Sequence, residues 1–254
     1  MKNISDFLNE KVIQYNNPSF IESDPISIPH LFTRKEDIEI SGFLTSIIAW
    51  GRRAAIIKTA NRWMDLMDNS PYDFLINASD IEMRRFDGFV YRTFNSDDCL
   101  FLMTALRDVY LNKGGLEQVA NESIMGGGQI LDLIVGMRES LFETPHMVRS
   151  RKHIANPQSG SAAKRINMFL RWMIRNDDKG VDFGLWKKIS PSKLMCPLDV
   201  HSGNVARKVG LLTRKQNDWK AVDELTQNLR KMDKEDPVKY DFALFGMGVF
   251  EGIS

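Results

Sequence analysis

Pro197-Leu198-Asp199-Val200-His201-Ser202-Gly203-Asn204-Val205-Ala206-Arg207-Lys208-Val209-Gly210-Leu211 is the stretch on which the reading of this chain turns. A proline and a short extended run lead to Asp199, which stands where a helix N-cap belongs. A carboxylate there accepts hydrogen bonds from N–H groups that the first turn leaves unpaired. Val205, Ala206 and Val209 recur at helical spacing, and Gly210 supplies the stop, since helices often end on a left-handed residue. The positive end of the helix dipole favours an anion at such a start. Taken alone, the segment is a capped helix, and a cap means only stability.

Upstream, Pro157-Gln158-Ser159-Gly160-Ser161-Ala162-Ala163-Lys164-Arg165-Ile166-Asn167 is a second helix start behind a small, glycine-containing turn. Ser159 or Ser161 is the expected cap. Ala162, Ile166, Phe169, Leu170 and Met173 form the apolar stripe, and Lys164 falls in the first turn. A lysine at such a helix start is a residue type that covalent carbonyl-type chemistry can use. The plain alternative for Lys164 is an exposed helix lysine. Between the two starts, Asp177-Asp178-Lys179-Gly180 reads as a loop and Ser190-Pro191 as the start of a short capped helix.

Asp199-Val200-His201 followed by Val205-Ala206-Arg207-Lys208-Val209-Gly210-Leu211 resembles the Asp-x-His…Val-Ala-Arg…Gly-Leu segment of the helix-hairpin-helix DNA glycosylase superfamily, which includes endonuclease III. The resemblance implies that Asp199 is catalytic and that Lys164, upstream at a helix start, is the nucleophile. The interval between them is longer than in endonuclease III and looks more like the archaeal 8-oxoguanine glycosylase branch. Ser159-Gly160-Ser161 stands where endonuclease III has a Gly-x-Gly hairpin, so Gly160, Ser161 and the adjoining Arg165 become candidate DNA contacts. The resemblance runs from about Ile38 to the C-terminus and includes the closing segment Tyr240-Asp241-Phe242-Ala243-Leu244-Phe245-Gly246. The whole chain also resembles a conserved hypothetical family of bacteria.

At 254 residues, the chain can bury an ample core. Lys+Arg 34 against Asp+Glu 33 gives a net charge of +1, so nucleic-acid binding through bulk charge is excluded and any contact must be a local patch. Two cysteines, Cys99 and Cys196, cannot form a disulfide framework or the iron–sulfur cluster that many endonuclease III relatives carry. His146, His153, His201 and Cys196 lack paired ligand spacing, so no metal is expected, nor a cofactor. No signal peptide and no membrane-length apolar run is read, which makes a reduced cytoplasm the expected location. The sequence is silent on oligomeric state.

The remaining chain reads as helices with short breaks. Residues 1–16 form an amphipathic helix (Phe7, Leu8 and Val12), and an irregular arm follows through Pro18, Pro25 and Pro29. Thr33 to Glu36 reads as a capping box opening a helix with Ile40, Phe43, Leu44, Ile47 and Ile48 on its stripe. That helix ends at Trp50-Gly51-Arg52-Arg53, and the next runs from about Ala54 to Met67. In the superfamily this turn inserts a side chain into the duplex, usually of glutamine type; here Arg52 and Arg53 take the place, as phosphate or minor-groove contacts or as solvated arginines after a glycine stop. Asp87 to Asn95 is an aromatic loop packed on the core. His146 to His153, with Arg149, Arg151 and Lys152, is the marked basic cluster, suited to a phosphate backbone or simply solvated. Asp236-Pro237 opens a last helix, Val238 to Phe245, ending at Gly246-Met247-Gly248.

No alternating strand pattern appears. The expected fold is all-α, 1–254 as one helical unit: 1–32 an N-terminal helix and irregular arm, 33–254 a glycosylase-like core of two apposed helical lobes. The expected partner is damaged double-stranded DNA, flipped at the lesion. Trp50, Phe89, Tyr91 and Trp172 are candidate stacking residues for the base pocket, with His201 beside Asp199. A non-catalytic nucleic-acid-binding module that kept the fold, and a helical protein with unrelated partners, are the competing readings.

Overall fold

A computed structural model describes residues 3–253. The first helix, α1 (Ile4–Tyr15), is capped by Asn3, whose side chain accepts the Ser5 N–H, and it buries Leu8 and Val12. After three short 3-10 turns through the proline-rich arm comes α2 (Lys35–Ile48), buried at every position from Ile38 to Ile48. Two of its buried polar residues find partners: Ser46 donates to the Phe43 carbonyl at 2.7 Å, and Glu39 accepts the Tyr110 hydroxyl at 2.7 Å. The expected Thr33 capping box does not form. The N-cap is Arg34, and Glu36 is drawn to its guanidinium at 3.1 Å instead of back to the Thr33 backbone.

Then follow α3 (Arg53–Leu66), α4 (Pro71–Asn77), α5 (Asp80–Met83), α6 (Ser96–Asn112), α7 (Leu116–Ser123) and α8 (Ile130–Phe142). Start signals explain several of these: Asn95 and Asp98 form a reciprocal capping box on α6, as do Ser79 and Glu82 on α5. The last four are α9 (Lys164–Ile174), α10 (Val200–Lys208), α11 (Trp219–Arg230) and α12 (Tyr240–Val249). The fold is all-α: among the described residues no β-strand occurs, only isolated bridges at Tyr91–Phe94 and Ser161–Asp218. Among the described residues no helix is long and apolar enough to cross a membrane.

The chain divides into two compact units, Ser23–Ala155 and a discontinuous one of Met1–Glu22 with Asn156–Ser254. In the first, α2 is the central helix, and Trp63, Phe89 and Phe94 pack around one another with ring centroids 4.9 to 6.2 Å apart. In the second, α12 lies against both α1 and α10. Phe20 meets Phe242 edge-on at 5.1 Å, and Phe169 meets Trp186 at 5.5 Å. Each such ring, fully buried, contributes about 1.5–3 kcal/mol relative to exposure.

Gly246 and Gly248 do not end the last helix, as the sequence suggests, but lie inside α12 as contact positions. A Cβ on Gly246 would stand 2.2 Å from Cδ2 of Tyr15, and one on Gly248 3.1 Å from Cβ of His201. Their missing side chains let α1 and α10 approach. Gly210, by contrast, does stop α10, at φ +77.

Candidate active site

Asp199 is the N-cap of α10, as its sequence setting dictates. Its Oδ1 accepts the Ser202 N–H at 3.0 Å, and the Ser202 hydroxyl in turn accepts the Asp199 N–H at 3.0 Å. Asn217 Nδ2 donates to the Asp199 carbonyl at 2.9 Å and is itself held by Arg207 at 2.6 Å. The carboxylate is thus fixed through one oxygen, which leaves Oδ2 for another group.

That group is Lys164, the first residue of α9. Its Nζ lies 3.9 Å from Asp199 Oδ2 and 3.5 Å from Met168 Sδ, with 25% of the lysine side chain and 28% of the aspartate side chain exposed. The separation is that of an ion pair rather than a closed hydrogen bond. Neither expected serine caps α9. The N-cap is Ala163, buried and held in the left-handed region at φ 46, ψ 35, while Ser161 Oγ accepts the Ala163 N–H at 3.2 Å. A non-glycine residue in that region costs about 1–2 kcal/mol, so the surrounding packing holds the turn just before Lys164 in a strained shape.

Two neighbours escaped the sequence reading. Asp241 on α12 is buried; burial pushes its carboxyl up to about 6, against the lowering influence of Arg171 and Lys164. Arg171 on α9 donates to Asp241 through Nη1 and to Asp182 through Nε at 3.2 Å. The chain of charges continues: Arg175 binds Asp182 at 3.0 Å, Asp236 at 2.9 Å and Asp177 at 2.7 Å. The available signal was compositional, an aspartate inside the apolar run Tyr240–Met247 and an arginine inside Phe169–Ile174. Such residues are almost never buried unless paired.

The other candidates are placed as follows. Gly160 is exposed at φ +88, and its carbonyl accepts the Trp219 N–H at 3.1 Å; Ser161 is exposed too. Burial pushes Arg165 down to about 10. His201 is exposed on the first turn of α10, against Gly248 of α12. Trp172 and Phe89 have no exposed surface, so neither offers a face to a base; their rings fill the core of their respective units. Tyr91 is buried with its hydroxyl donating to the Trp50 carbonyl at 2.7 Å, while Trp50 is half-buried. Arg52 is exposed as the N-cap of α3, and Arg53 opens that helix.

The basic stretch is a 3-10 segment, Val148–His153, and is partly committed to structure. Arg149 binds Asp98 at 2.8 Å, Asn95 at 2.7 Å and the Thr93 carbonyl at 2.9 Å. Arg151 donates to His146 at 2.9 Å, and Lys152 is exposed. Ser150 and His153, both buried, also bind Asp98. The sequence clusters these cations as one patch; the structure spends Arg149 on pinning the segment to the start of α6.

Fold and site together define an all-helical protein in which two helix starts bring a lysine and an aspartate to a partly exposed ion pair. The chain belongs to the DUF2400 family, described as proteins of unknown function, whose model matches residues 24–250. No curated protein and no solved structure matches it.

Proposed function

We propose that this chain is a lysine-using DNA glycosylase with AP-lyase activity, built on a glycosylase-like helical core. The observation that carries the reading is the 3.9 Å approach of Lys164 Nζ to Asp199 Oδ2. The motif resemblance paired these two residues from a distance in sequence, and the fold sets them side by side. An amine beside a fixed carboxylate, both open to solvent, suits attack on an electrophilic carbon.

The damaged nucleotide is first flipped out of the stack. Lys164 loses a proton, for which Asp199 Oδ2 is the nearest carboxylate oxygen, and its nitrogen attacks C1′ of the deoxyribose. The C1′–N bond to the base breaks, and the base leaves with that electron pair and takes up a proton. That proton is passed from Asp199, whose restored carboxylate stabilises the positive charge building at the sugar. Opening of the C1′–O4′ bond, with a proton to O4′, gives an iminium between Lys164 and C1′. Loss of a C2′ proton then expels the 3′-phosphate with the electrons of the C3′–O bond.

Borohydride trapping on duplex DNA carrying an abasic site tests the reading. The wild-type chain should form a covalent adduct on reduction, and Lys164→Gln should form none. DNA binding without an adduct from either protein would replace the enzyme with a binding module, and an adduct from the Gln variant would move the nucleophile elsewhere.

A further inference from the structure

The exposed arginines of the Ser23–Ala155 unit fall into two groups. Arg34 pairs with Glu36 and Asp73, Arg85 with Asp68, and Arg149 with Asp98. Arg52, Arg62, Arg84, Arg92 and Arg151 are equally exposed, yet no carboxylate lies within ion-pairing range of them among the described residues, and of these Arg52, Arg62 and Arg92 gather in one place.

These three surround the α2–α3 turn and the 87–95 loop beside it. The Arg92 guanidinium lies 4.8 Å from the centre of the Trp50 ring. It also presses against Gly51, where an added Cβ would come within 2.4 Å of its Nη1. Arg52 follows directly in sequence as the N-cap of α3. Arg62, further along α3, lies 5.6 Å over the ring of Phe89 in the same loop. Trp50 and Tyr91 brace turn to loop through their edge-on contact and the 2.7 Å hydrogen bond.

Arg92 also sits at φ +56, a conformation that side chains avoid and glycine adopts freely. An exposed guanidinium kept at such a position, and set over an aromatic ring, is a placed group. The guanidinium also hydrogen-bonds the Tyr91 hydroxyl, which fixes it further and leaves its remaining N–H groups for the oxygens of a phosphate. Arg52 and Arg62 are about 15 Å apart along α3 by helical rise, too far to converge on one phosphate. A spread of unpaired cations suits a repeating polyanion.

We infer that Arg52, Arg62 and Arg92 form a docking surface for the phosphodiester backbone of duplex DNA, one that responds to charge and not to base sequence. The choice of DNA as the polyanion rests on the glycosylase reading above.

Anisotropy titrations of the full chain with an undamaged duplex, over a series of salt concentrations, give the slope of log K against log salt. Arg52→Gln, Arg62→Gln and Arg92→Gln should each reduce that slope by about one and weaken binding irrespective of sequence. Arg92→Lys should restore the slope. Arg92→Gly is the sharper variant. It removes the strain, so Tm should hold or rise while DNA binding falls as in Arg92→Gln. A lower Tm with an unchanged slope would make Arg92 a brace for Trp50 and overturn the inference. Unchanged slopes throughout, no binding at low salt, or tighter arginine-dependent binding to duplex RNA would overturn it too. Trapping without arginine-dependent slopes sinks this surface and leaves the enzyme standing; arginine-dependent slopes without trapping do the reverse.

Discussion

Oδ2 of Asp199 stands 3.9 Å from Nζ of Lys164, while its other oxygen is tied into the first turn of α10. One carboxylate therefore has two duties, structural through Oδ1 and electrostatic through Oδ2, and substitutions can separate them.

Asp199→Asn keeps a side-chain oxygen for the cap and loses the charge, so stability should change by less than about 1 kcal/mol. Asp199→Ala loses both, at a cost of about 1 kcal/mol or somewhat more. Trapping rates should fall by about 10²–10⁴ in either variant, the usual range for loss of a proton-transfer group. Equal loss of stability in the two would show that the cap does not act as described; thermal unfolding and single-turnover trapping together give both readouts.

Lys164→Gln should abolish adduct formation and leave the fold nearly untouched. The pair is partly exposed, and such ion pairs are worth about 0–1 kcal/mol. A large drop in Tm would make Lys164 a structural residue.

Asp241 should give the chain a pH signature. Its folded value, about 6, lies above the ordinary aspartate value of 3.8, because burial disfavours the charged form. A carboxyl raised in this way contributes stability that is fully present below the unfolded value and lost as pH rises through the folded one. Between about pH 4 and 6, wild-type Tm should therefore fall relative to that of Asp241→Asn as pH increases. A constant difference across that window would remove Asp241 from the set of titrating groups.

Asp182 lies between two buried arginines, Arg171 and Arg175. Asp182→Ala leaves two guanidinium groups short of a partner in the core, and breaking a buried pair from one side costs about 3–5 kcal/mol. Urea denaturation should show that loss as a lower midpoint with an unchanged slope.

Gly246→Ala places a methyl group 2.2 Å from the Tyr15 ring. That ring stacks on Phe250 at 5.6 Å, and its hydroxyl is held by Glu251, so it cannot turn aside freely. Overpacking of this kind costs about 1–3 kcal/mol. A Tm equal to wild type would mean that α1 gives way more easily than its contacts suggest.

Local chemistry was legible in the sequence; long-range pairing was not. The Asp199 cap, the Gly210 stop and the start of α9 at Lys164 follow from propensity and spacing within a few residues. The caps of α2 and α9 depart from the local signals, since Glu36 pairs with Arg34 and tertiary packing holds Ala163 in the turn. The Arg171–Asp241 pair joins α9 to α12; a charge inside each apolar run signals burial, but nothing local says that the two meet. Phe89 and Trp172 show the same limit: an aromatic residue suits a base pocket and a core equally, and only burial decides.

α1 and α12 pack on each other from opposite ends of the chain. During synthesis α1 emerges well before its mate, with all of Ser23–Ala155 made in between. The central unit can thus finish folding on the ribosome while the leading helix still waits, its Leu8 and Val12 uncovered. The discontinuous half can close only once α12 has been made.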